Sequence, residues 1–113
     1  MSNAEKLACA DRLEAAALVI QCGDGEWWTQ GTSARDDRGE AVSYYIWEAR
    51  CFCAAGAYQA AGGRRDAFDV GWQTLRQLAG GNLTGWNDTP GRAAREVASL
   101  MLDAADQLRG EAV

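Results

Sequence analysis

The sequence predicts a mainly α domain, a bundle of about four helices with one long irregular loop and a short strand pair. Three observations predict it. The 113 residues are 48% apolar, enough for one domain with its own core. Apolar residues recur at helical spacing near both ends of the chain. Between positions 23 and 49, by contrast, glycines and charges break any such period.

The first helix is expected over about 4–21. Ser2-Asn3-Ala4-Glu5 reads as a capping box, and Cys9, Leu13, Ala16, Ala17 and Ile20 form an apolar stripe. Gly23 ends the helix. The segment "GDGEWWTQGTSARDDRGE" follows, irregular and polar. Trp27 and Trp28 are adjacent, so on an extended chain one packs inward and the other faces solvent. "AVSYYIWEA" has the aromatic and β-branched content of a short strand, or of a loop leading into the next helix.

"RCFCAAGAYQAAGG" predicts a helix over about 51–61, with small residues on a face that lets a neighbour approach closely. That face could also serve a homodimer. A third helix, about 66–79, would be capped by Asp66 and bury Phe68, Trp72, Leu75 and Ala79. The last helix, about 90–109, has the cleanest pattern: Ala94, Val97, Ala98, Met101, Ala104, Ala105 and Leu108.

Composition removes several kinds of chemistry. The chain has no histidine, the usual general base, metal ligand and partner of a nucleophile. Cys51-x-Cys53 is too tight for an ordinary disulfide, and the four cysteines lack paired C-x-x-C knuckles. They read as reduced, mostly buried thiols of a cytoplasmic protein, with no metal or other cofactor. A net charge of −5 argues against direct nucleic-acid binding. No apolar run is long enough for a membrane span, and the N-terminus lacks the pattern of a secretory signal.

Two segments carry the candidate site residues. The first is the acidic, aromatic middle: Trp27, Trp28, Asp36, Asp37, Tyr44, Tyr45, Trp47 and Glu48. It reads either as a solvated loop or as a surface for a protein partner with a basic face. The second is Trp86-Asn87-Asp88. One reading makes it a helix start, with Thr89 as N-cap, Pro90 at the first helical position and Asp88 at the positive end of the dipole. The other makes it a pocket for a neutral or cationic ligand, shared with Tyr44, Tyr45, Trp47 and Glu48. A pocket lined by Trp27 or Trp28, Trp47 and Trp86 belongs to the same class of reading. An enzyme would have to use Cys51, activated by Arg50 and a helix start, or a Glu48/Asp88 carboxylate pair.

Three motifs carry a resemblance. Trp28, Gln30 and Gly31 form W-x-Q-G. Cys53, Ala54, Gly56 and Ala57 form C-A-x-G-A. Trp86, Asn87, Asp88, Pro90, Gly91, Arg92, Glu96 and Val97 form W-N-D-x-P-G-R followed by E-V. Over about residues 8–108 the chain resembles a group of small uncharacterised bacterial and phage proteins sharing a domain of unknown function. Tyr58 stands where the pattern has Leu, and Ala93 where it has Thr, which leaves capping to Thr89 or Asp88. The resemblance implies a phage or mobile-element context and supplies no catalytic residues. With the acidic charge, it leads to the expectation of a non-enzymatic interaction protein, such as an anti-CRISPR or other inhibitor of a nucleic-acid-binding protein.

Overall fold

In the computed structural model, which describes residues 2–112, two long helices form the spine. They are α1 (Asn3–Gln21) and α5 (Ala94–Glu111). Both bury the same spacing of side chains: Cys9, Ala10, Leu13, Ala16, Ala17 and Ile20 on α1, and Val97, Ala98, Met101, Ala104, Ala105 and Leu108 on α5. Each seam alternates alanines with one large residue per turn, so the helices pack closely and interdigitate. Lys6 pairs with Glu111, and Arg109 with Asp11 and Glu14, which fixes the two helices antiparallel. These surface pairs set direction and contribute little stability. Ser2 caps α1 as expected, its hydroxyl accepting from the Glu5 amide.

Three shorter helices close the core: α2 (Ala54–Ala60), α3 (Val70–Leu78) and α4 (Leu83–Asn87). The last of these was not foreseen. Both α2 and α3 pack on α1, and α3 also packs on α5. The small face of α2 is consumed within the chain, since Ala54, Ala55, Gly56 and Ala57 are all buried. A Cβ at Gly56 would collide with the Ser33 carbonyl, so this glycine is required by close approach.

The irregular segment holds a small antiparallel sheet of order β2-β1-β3, from β1 (Ala34–Arg35), β2 (Ala41–Val42) and β3 (Cys51–Phe52). Its hairpin turn is built on Asp36, whose carboxylate accepts from the amides of Arg38 and Glu40, with Gly39 at φ 81°.

Three expectations are corrected. The third helix starts at Val70 and is capped by Asp69, whose carboxylate accepts from the Trp72 amide. Asp66 instead organises the preceding turn through the Phe68 amide, and Phe68 is 78% exposed. The last helix starts at Ala94, four residues beyond Pro90, because Thr89 to Arg92 forms a turn with Gly91 at φ 85°. Asp88 is therefore the C-cap of α4 and caps no N-terminus.

Candidate functional site

Asn87 is the polar centre of the molecule and is completely buried. An amide side chain offers two donor and two acceptor positions, and all four are used. Its Oδ1 accepts from the Trp28 indole N–H at 2.8 Å and from the Ala54 amide at 2.9 Å. Its Nδ2 donates to the Thr29 carbonyl at 3.1 Å and to Asp88 Oδ1 at 3.0 Å. Asp88 Oδ1 also accepts from the Gly31 amide at 3.0 Å. Gln30 completes the clasp, donating from Nε2 to the carbonyls of Asn87 and Thr89.

The three motif segments thus meet in one place. Ala54 is the first residue of α2, and its amide has no partner within the helix. Asn87 satisfies it from α4, while Cys53 caps the same helix by accepting from the Gly56 amide through Sγ. The Trp28-Thr29-Gln30-Gly31 strip is bound along its length to Asn87, Asp88 and Thr89.

The rest of the third motif pins the start of α5. Arg92 lies over the Trp86 ring, 4.0 Å from its centroid, and its Nε donates to the Trp86 carbonyl. Its Nη1 pairs with Glu96, whose other oxygen accepts from the Ala93 amide at 2.8 Å. Glu96 thereby supplies the half of a capping box that needs no side chain at position 93, satisfying the Ala93 amide itself. That amide first, and then Arg92, hold its carboxyl below the usual range.

A second buried network was missed in the sequence. Tyr58, fully buried, donates its hydroxyl to Asp69 Oδ1. The same oxygen accepts from the Trp72 amide at 2.9 Å and the Cys9 thiol at 3.6 Å, and Oδ2 accepts from the Arg64 amide at 2.8 Å. Burial pushes the Asp69 carboxyl up, but these donors together outweigh it and hold the group below its ordinary value. Burial first, then Asp69, pushes the Tyr58 hydroxyl up, so it stays protonated. The signal available was Asp69 three residues before Trp72, a helix-start spacing that Asp66 also offers.

Of the candidate residues in the acidic, aromatic segment, Trp28 joins the clasp and the others have no hydrogen bond to it. Trp47 and Tyr45 are 80% and 75% exposed. Tyr44 is half-buried and meets Tyr45 edge-on, with ring centroids 5.3 Å apart. Asp37, Glu40 and Glu48 are exposed, whereas Asp36 is committed to the hairpin turn. Trp27 is 45% exposed, so of the adjacent pair Trp28 is the one that packs inward. Trp86 and Trp72 line separate cavities, and Trp27, Trp28 and Trp47 line neither.

The residues suggested for catalysis lie apart from helix starts and from one another's networks. Cys51 is on β3, and the Arg50 guanidinium turns back to the carbonyls of Trp47 and Ala49. The cysteine at a helix start is Cys53, and burial pushes its thiol up, away from a reactive thiolate. Glu48 is on the exposed loop, while Asp88 is held in the clasp. Cys9, Cys22, Cys51 and Cys53 are free, two buried, one half-buried and one exposed.

The fold and the clasp define a mainly α domain whose polar motif residues hold its own segments together. The chain belongs to a family of unknown function, DUF6197, which matches residues 5–107. No curated protein and no solved structure gives a significant match. No described helix is long and apolar enough to cross a membrane.

Proposed function

We propose that the protein is a non-enzymatic interaction module that docks on a protein partner with a basic surface. The docking arm is the segment from Asp37 to Glu48. One observation carries the reading: Trp47 and Tyr45 stand in solvent on a segment that also bears the exposed carboxylates Asp37, Glu40 and Glu48. Large aromatics anchor interfaces, and surrounding charge steers the encounter. The arm is also held in shape. The Arg50 amide donates to the Arg35 carbonyl, and the Arg35 guanidinium reaches Thr29 Oγ1 and the carbonyls of Gln30 and Gly39. A surface ordered in advance loses less entropy on binding.

In its most specific form the partner is a nucleic-acid-binding protein whose groove the acidic arm occupies, as an anti-CRISPR or other phage or mobile-element inhibitor would. The test is affinity capture with three baits: the native chain, Trp47→Ala, and Asp37→Lys/Glu40→Lys/Glu48→Lys. Support is one nucleic-acid-binding protein retained by the native chain and lost from both variants, with unchanged melting temperatures, whose nucleic-acid binding the native chain blocks. Equal retention by all three baits overturns the assignment of the arm.

A further inference from the structure

We propose that the cavity between α3 and α4 is a binding site for a phosphate group, free or as the monoester of a small molecule. It has a volume of about 310 Å³ and is lined by Arg65, Trp72, Arg76, Asn82 and Thr84, among others. Two arginines thus line one concavity of a protein whose net charge is −5. Among the described residues neither is paired with a carboxylate, although Arg64, next to Arg65 in sequence, is paired with Asp66.

The cavity is ordered for this purpose. Arg65 is laid over the Trp72 ring, 5.3 Å from its centroid, and its Nη2 donates to Thr84 Oγ1 at 3.3 Å. Stacking and that bond fix the plane of the guanidinium and leave its other N–H groups to be shared with a ligand. The Asn82 Oδ1 accepts from the Gly85 amide, and its Nδ2 has no acceptor among the described residues. Arg76 is exposed and free to close over an occupant. Asp88 lines the adjoining small cavity with Arg65 and makes no ion pair with it, and its Oδ1 accepts from the Gly31 amide and Asn87 Nδ2.

Donors from three side chains and two positive charges suit a tetrahedral dianion better than a planar, singly charged carboxylate. The volume leaves room for a small ester group beside the phosphate. The −5 charge makes a nucleic-acid backbone an unsuitable carrier. This proposal does not depend on the docking arm, which contributes no residue to the cavity.

The test follows the Trp72 indole N–H by NMR, assigned with Trp72→Phe, during titration with inorganic phosphate, phenyl phosphate, and acetate at equal ionic strength. The expected result is a saturable shift with phosphate or phenyl phosphate and none with acetate. Arg76→Gln should weaken binding about tenfold, the usual loss for one charged hydrogen bond, with its melting temperature unchanged. Arg65→Gln/Arg76→Gln should abolish the shift. Stronger binding of phenyl phosphate identifies a monoester as the carrier, and equal binding identifies free phosphate. No saturable shift with either, or the same shift in the double variant, overturns the proposal.

Discussion

Two tryptophan-containing segments look alike in the sequence and do opposite things in the fold. Trp86-Asn87-Asp88 turns inward, with every hydrogen-bonding position of the Asn87 side chain filled from within the chain. The Tyr44–Glu48 stretch turns outward, with Tyr45 and Trp47 in solvent. A buried polar group must be satisfied where it sits, and leaving its partners bare is expensive. An exposed aromatic is under no such constraint, so it is free to serve a partner, as the docking proposal has it. The difference separates residues that make the domain from residues the domain presents.

The sharpest way to break the comparison is Asn87→Ala. It leaves the Trp28 indole, the Ala54 amide and the Thr29 carbonyl without their partner, and should destabilise the fold by about 3 kcal/mol or more in denaturant titration. Asn87→Asp should also destabilise, because an oxygen would then face the Thr29 carbonyl and Asp88. A loss below about 1 kcal/mol for both would remove the clasp as the organiser of the core. Gly56→Ala comes next, at about 2 kcal/mol, since its methyl group meets the Ser33 carbonyl and pushes the 28–33 strip off α2.

Tyr58→Phe should cost about 1.5 kcal/mol, since it removes a hydrogen bond to the buried, ionised Asp69 carboxylate. That network also sets an acid limit. Asp69 has a folded pKa below its unfolded one, so its contribution is complete above the unfolded value of about 4 and is lost as pH falls through the folded value. Melting temperatures measured downward from pH 6 should fall less steeply in Tyr58→Phe than in the native chain. The smallest effect on the fold is expected from Trp47→Ala, within about 0.5 kcal/mol. In the docking proposal the same change has the largest effect on partner capture, and a variant that melts much lower would place Trp47 in the core.

The long helices were legible because their information is local. The stripe on α5 can be read from Val97 to Leu108 without knowing what covers it, and the Ser2 cap acts within one turn. The start of α5 was misread for the same reason. Thr89-Pro90 carries a strong local signature, but the Gly91 turn delays the helix and Glu96 caps it from inside. Phe68 was placed in the core because its spacing from Trp72 and Leu75 is helical, yet Asp69 starts the helix one residue after it. Arg65 and Arg76 gave no signal in the sequence, because they share a cavity only after α3 and α4 have folded.

By itself, then, the sequence determined a mainly α domain, the two spine helices and their buried faces, and an acidic aromatic stretch set apart from them. These depend on contacts three or four residues apart, which any reader of the chain can count. The tertiary structure alone decided that Asn87 joins Trp28 and Ala54, 59 and 33 residues away, and that Tyr58 meets Asp69 in the core. Partners so distant are chosen by which surfaces the helices bring together, and a polar side chain does not carry that choice in its own neighbourhood.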